Sequence, residues 1–131
     1  KNGVDIEVID MRSTSPLDYQ TVLDSVHKTG HFLVIDTSWV TCGIGSELLA
    51  KVSEDAFFDL KKPPKRIGLP DIHAPTSPTL SKEFYPTPKE IGLIILKMLS
   101  LKISDKWKKN LEELKPAEPL DVPFIDFNGP F

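Results

Sequence analysis

Two spacings of apolar residues alternate along this chain, one suited to a strand and one to a helix face. Ile6, Val8 and Ile9 make a short β-branched segment running into Asp10-Met11-Arg12-Ser13-Thr14-Ser15, which predicts a buried strand whose C-terminal end opens into a loop. Pro16 marks the turn that follows. Tyr19, Val22, Leu23 and Val26 fall at helical spacing, so an amphipathic helix is expected, with Asp18 as N-cap and Gly30 just past its end. Phe32-Leu33-Val34-Ile35 reads as a second buried strand ending at Asp36. Gly43-Ile44-Gly45-Ser46 then opens a helix that carries Ile44, Leu48, Leu49, Val52 and Ala56 on one face. A third short strand is expected from Lys65 to Leu69, bounded by Pro63-Pro64 and Pro70. Strands alternating with helices in this order imply a parallel sheet with helices on its faces.

From Pro70 to Pro88 five prolines interrupt any period, and a long ordered surface loop is expected. Ile91, Ile94, Ile95, Met98 and Leu101 restore helical spacing behind a Thr87 N-cap and a first-turn Pro88, predicting a well-buried helix. Ser104 to Leu114 reads as a shorter helix with Trp107, Leu111 and Leu114 on one face. Beyond Pro116, Val122, Phe124, Ile125, Phe127 and Phe131 are too apolar for a solvated tail and need a surface in this domain or a neighbouring chain.

Composition narrows the picture. At 131 residues, with 40% hydrophobic and 27% charged, the chain suits one globular domain and not a disordered segment. Of its 12 prolines only Pro16 precedes Pro63, so a regular first half is followed by a heavily punctuated second half. A net charge of −3 offers no bulk attraction to nucleic acid or to an anionic membrane, and neither is expected as a partner. The single cysteine, Cys42, rules out an internal disulfide and a thiolate zinc site, and a cytoplasmic location is expected from it. The sequence opens at Lys1-Asn2-Gly3 without a Met and is expected to be a fragment.

Candidate chemistry is sparse. Gly43-Ile44-Gly45 opens a helix whose free amides attract anions, but no third glycine or Gly-Lys-Ser/Thr completes a phosphate loop, and close backbone packing is the better reading. His27 and His31 flank a helix C-terminus, where partial positive charge is favoured, and capping is preferred to metal binding for them. Cys42 reads as a turn residue, since no partner base is identifiable. Asp10, Arg12, Asp36 and Asp71 stand at or after strand ends, where open sheets place ligands; ligand contact and simple loop capping weigh evenly. The basic clusters Lys61-Lys62 with Lys65-Arg66, and Lys106 to Lys109, read as solvated faces. Trp39, Phe57 and Phe58 belong to the residue types that anchor interfaces, against a default of core burial.

Taken in order, IEVIDMRSTSPLD, TGHFLVID, GIGSELLAKVSEDAF, PPKRIGLPD and SPTLSKEFYPTPKEI resemble the C-terminal domain of transketolase-like enzymes. Within that family the chain is most similar to beta subunits of the thiamine-dependent first component of 2-oxo-acid dehydrogenases, such as pyruvate dehydrogenase. The resemblance spans residues 3–101 and rests on the ordered series of motifs. It implies a three-layer α/β/α domain with a mixed, mostly parallel sheet, devoted to subunit assembly. It also implies a parent enzyme that uses thiamine diphosphate and Mg2+ to decarboxylate a 2-oxo acid or transfer a two-carbon unit. No Gly-Asp-Gly metal-diphosphate motif and no cofactor-binding residue is found here, so this chain alone is expected to be catalytically inert.

Three departures from the family follow. The family's first strand and helix lie upstream of the equivalent of Gly3, so the domain, residues 1–101, is expected to be incomplete at its N-terminal side. Lys61 and Lys62 stand where dehydrogenase beta subunits are commonly acidic and help hold the acyltransferase core, so binding to that core is disfavoured. Residues 102–131 form an extension beyond the family domain. The expected partners are therefore a second copy or other subunits of the parent enzyme, met through Trp39, Phe57 and Phe58 and through Phe124, Phe127 and Phe131 of the extension. The alternative is a small-molecule or anion-binding regulatory module, built on Arg12, Asp36, Gly43 and Gly45 at the sheet's C-terminal edge. A flavodoxin-like carrier ranks last for want of a phosphate loop.

Overall fold

In the computed structural model, which describes residues 4–114, the first helix starts where its cap residue stands. Asp18 accepts from the Thr21 amide at 3.1 Å and from the Thr21 hydroxyl at 2.6 Å, satisfying a donor that α1 (Tyr19–Thr29) leaves free in its first turn. α1 ends at Gly30, whose φ of 73° suits a residue without Cβ and whose amide donates to the Val26 carbonyl at 2.7 Å. β1 (Leu33–Trp39), α2 (Ile44–Asp55), a 3-10 turn (Phe57–Asp59) and β2 (Lys65–Leu69) follow, completing the first of two compact units, Lys1–Asp71.

The two strands pair in parallel, with Leu33 beside Lys65 and Ile35 beside Ile67, and α2 makes the return crossing. Trp39 then stands opposite Leu69, so β1 spends four residues where β2 spends two, and the ladder bulges near its C-terminal end. α2 packs on both strands and α1 packs on α2. Val22 and Val26 of α1 meet Leu48, Val52 and Ala56, each 4% exposed or less, and this is the unit's core.

The expected first strand does not form. Residues 4–10 join no ladder, and Ile6 and Val8 are 54% and 85% exposed. β1 and β2 are the only strands among the described residues, and a β-branched segment without a strand beside it has no means of satisfying its backbone in a core. Ile9 and Met11 still pack at the edge of the core cluster. β1 is also less buried than expected, with Ile35 47% exposed, because one neighbouring strand replaces the full sheet that would cover it.

The segment around Glu7 is tied to α1 instead. Ser25 donates its hydroxyl to Glu7 at 2.6 Å and Lys28 donates its ammonium at 2.9 Å; the Ser25 bond first, and then Lys28, hold the Glu7 carboxyl below its ordinary value. A carboxyl depressed by folding stabilises the folded chain above its unfolded value, near 4.5, and loses that contribution as pH falls through the lower folded value. Glu7→Gln should therefore narrow the gap in melting temperature between neutral and strongly acidic buffer. An unchanged gap would remove Glu7 from the acid response.

The second compact unit, Ile72–Phe131, begins by correcting the expected loop. α3 (Pro78–Phe84) lies inside the stretch from Pro70 to Pro88. Its prolines stand at the helix start and beyond its end, where they need no amide donor, so their number did not preclude a helix. Phe84 and Ser81 of this helix are 5% and 3% exposed. α4 (Pro88–Met98) opens with the expected cap: the Thr87 hydroxyl accepts from the Glu90 amide at 3.2 Å, and the Glu90 carboxylate accepts from the Thr87 amide at 2.8 Å. Only Leu96 and Met98 of α4 are buried, less than its apolar spacing predicts. α5 (Asp105–Glu113) packs against α4 where Gly92 leaves room; a Cβ on Gly92 would stand 2.5 Å from the Leu111 side chain.

Candidate functional site

The C-terminal ends of β1 and β2 and the start of α2 enclose a shallow cleft in the first unit. The bulge in β1 brings Ser38 over Gly68, where a Cβ would meet the Ser38 carbonyl at 2.9 Å, so a glycine is required on β2. Val40 continues the ladder by donating its amide to the Leu69 carbonyl at 2.9 Å. Thr41 is then held by Asp71, which accepts from its amide at 3.2 Å and its hydroxyl at 2.5 Å. Cys42 takes a positive φ of 60° and is exposed, and Gly43 caps α2. A Cβ on Gly43 would collide with the Trp39 carbonyl and the Ser38 hydroxyl.

These contacts decide what the strand-end groups are doing. Asp36 accepts from the Ser38 amide at 3.1 Å and from the Ser38 hydroxyl, so its carboxylate turns the bulge and is not left reaching for a ligand. Asp71 likewise fastens a turn. The Ser46 hydroxyl donates to the Val40 carbonyl at 2.9 Å and accepts from the Arg66 guanidinium. The cleft therefore holds Asp36, Gly45, Ser46 and Arg66 together, with an open volume of about 170 Å³. Its lining carries one cation, Arg66, and one carboxylate, Asp36, which already accepts from Ser38.

The proposed crevice residues are thus only partly brought together. Asp36 and Gly45 line the cleft, Gly43 lies at its edge in the cap, and Arg12 is elsewhere, 87% exposed and paired with Asp10 at 2.7 Å. Arg66 is the cation at the cleft, and sequence reasoning placed it only in a solvated basic cluster. The deciding fact, the register that sets Arg66 beside Val34, is a long-range pairing that no local pattern carries. His27 meets Asp59 at 2.8 Å, and His31 bonds to the Thr29 carbonyl at 3.0 Å, both near the end of α1. Among the described residues no three His, Cys, Asp or Glu side chains converge as metal ligands.

The aromatic candidates are exposed. Phe58 is 98% and Phe57 61% exposed, their rings edge to face at 5.4 Å, and Trp39 is 54% exposed. They form two patches. Trp39 ends β1, whereas the 3-10 turn of Phe57 and Phe58 follows the return helix and precedes β2, at the opposite end of the strands. Phe124, Phe127 and Phe131 lie outside the described residues.

A parallel strand pair joined by a capped helix is shared by many proteins, and the order of segments along the chain discriminates among them. The model of the family "Transketolase, C-terminal domain" matches residues 1–91. The chain belongs to the transketolase C-terminal domain family. The α/β arrangement with its parallel strands is consistent with that fold. Similar proteins carry the same assignment further. The chain is 39% identical over 102 residues to the mitochondrial pyruvate dehydrogenase E1 component subunit beta of Ascaris suum, covering 77% of this chain and 28% of that protein. It is 36% identical over 99 residues to the acetoin:2,6-dichlorophenolindophenol oxidoreductase subunit beta of Bacillus subtilis, covering 76% and 29%. It is 37% identical over 92 residues to the 2-oxoisovalerate dehydrogenase subunit beta of the same organism, covering 70% and 28%. The chain spans less than a third of the length of these relatives.

Proposed function

We propose that this transketolase C-terminal domain serves subunit association in a thiamine-diphosphate-dependent 2-oxo-acid dehydrogenase or transketolase-like enzyme. The observation that carries this reading is the Phe57-Phe58 pair, two adjacent rings 61% and 98% exposed on a 3-10 turn. Rings of this size left in water cost solvation free energy that a partner surface recovers, and aromatic residues dominate the energetics of interfaces. The relatives named as beta subunits support the same reading, since a subunit has partners by definition.

Thiamine diphosphate with Mg2+ is the cofactor that the parent enzyme would use. The described residues do not fit it: no acidic cluster among them converges to hold the metal, and the shallow cleft at the strand ends offers a diphosphate a single cation, Arg66. In this reading the chemistry belongs to other segments of the parent, and no step is assigned to residues of this chain.

Sedimentation of the full chain over a range of concentrations tests the proposal. Self-association, or association with the remainder of the parent enzyme, is expected, and Phe57→Ala with Phe58→Ala should weaken it about tenfold or more. Because both side chains are exposed, the double variant should keep its thermal stability. A parent chain that neither self-associates nor binds the remainder of the enzyme would overturn the assignment.

A further inference from the structure

We propose that the Phe57-Phe58 face receives the acidic, aromatic segment 118–127 of a second copy of this chain. The face has two characters. Its rings are exposed, and within the next seven residues Lys62 and Lys65 are exposed with no ion-pair partner among the described residues. Of the other charges close in sequence, Asp59 bonds to His27 at 2.8 Å, Asp55 pairs with Lys51 at 2.8 Å and the Lys61 ammonium bonds to the Thr29 carbonyl at 3.2 Å, while Glu54 is exposed and offsets one of the two lysines. The residues flanking the two rings in sequence thus leave a net positive charge, Lys62 and Lys65 against Glu54.

Seventeen residues, 115–131, lie beyond the described chain, and they have the complementary chemistry. Leu120, Val122, Phe124, Ile125 and Phe127 supply apolar bulk, Glu118, Asp121 and Asp126 supply negative charge, and no Lys or Arg occurs from Pro116 onward. Pro119 and Pro123 limit the freedom that such a segment surrenders when it docks. Two rings alone fall far short of the roughly 800 Å² per partner of a stable interface. Exchange of the segment about a two-fold axis doubles the buried area, because each copy both gives and receives. The inference rests on the assembly reading, and it names the partner.

Full chains carrying Phe58→p-benzoylphenylalanine, irradiated and mapped by mass spectrometry, test it. The expected product is a covalent dimer joining position 58 to a peptide within residues 116–131, with a yield that falls about threefold or more in high salt or in Lys62→Glu with Lys65→Glu. Adducts within a single chain, adducts to any other segment, or none at all overturn the inference. Sedimentation of the same samples separates the two readings: self-association without this adduct overturns the segment exchange and leaves the assembly reading standing, whereas a chain that neither self-associates nor binds other subunits overturns both.

Discussion

Gly43→Ala should lower the melting temperature of this chain by roughly 10 °C or more, although it adds a single methyl group at a helix N-cap. The backbone dihedrals do not demand glycine, since φ is −74° and ψ is 163°, ordinary extended values. The demand is spatial. The added Cβ would collide with the Trp39 carbonyl and the Ser38 hydroxyl, and both lie in the bulge that ends β1. A carbonyl cannot rotate away as a side-chain tip can, so the turn from Trp39 to Gly43 must shift against the ladder bond from Val40 to Leu69. Overpacking of this kind costs about 1–3 kcal/mol and more when backbone must move, and each kcal/mol is worth about 4–8 °C in a unit the size of Lys1–Asp71. Gly45→Ala is the internal control. Its Cβ would meet the Val34 methyls at 3.4 Å, an ordinary contact, and the exchange gains helix propensity, so the melt should be nearly unchanged. Circular dichroism melts of the two variants check the pair, and equal effects would refute the close-approach account.

Leu48→Ala should remove a large share of the stability of the first unit. Leu48 is 3% exposed and sits between Val22 and Val26 of α1 and Val52 and Ala56 further along its own chain. Truncation forfeits the transfer free energy of its methyl groups and leaves a cavity that the neighbouring β-branched side chains are too stiff to fill. The expected cost is about 2–5 kcal/mol, against a total stability of about 5–15 kcal/mol for an ordinary domain. Ile35→Ala, at a position 47% exposed, should cost less than half as much. Urea titrations should show the midpoint of Leu48→Ala displaced with little change in slope. A midpoint equal to that of the parent would mean that α1 and α2 are not locked through this residue.

The helices of this chain are written in local chemistry. Asp18, Gly30 and Thr87 each act within a few residues of their own position, and each performs the capping role expected of it; Glu90 adds a return bond to the Thr87 amide that the sequence reading did not name. α3 was hidden by its composition, because prolines that flank a helix count the same as prolines that break one. The candidate site was less legible. Asp36 and Asp71 weighed evenly as ligands or caps, and the hydrogen bonds to Ser38 and Thr41 make them caps. Arg66 enters the cleft only because the ladder sets β2 beside β1 in one particular register. Phe57 and Phe58 carried a default of burial, and no periodicity in a three-residue turn could report that both rings face water.

Ile6, Val8 and Ile9 mark the limit of reading by pattern. Their composition specifies a segment fit for a strand, yet a strand exists only when another lies beside it, and among the described residues none does. The amino-acid order was sufficient for the starts of α1, α2, α4 and α5, the parallel β1-α2-β2 crossing and the family, because capping and amphipathic spacing act over a few residues and the motifs recur in a set order. The register and its bulge, the steric need for Gly43, the place of Arg66 and the exposure of the aromatic pair were settled by the folded chain, because each depends on which distant backbone atoms come within a few ångströms of one another.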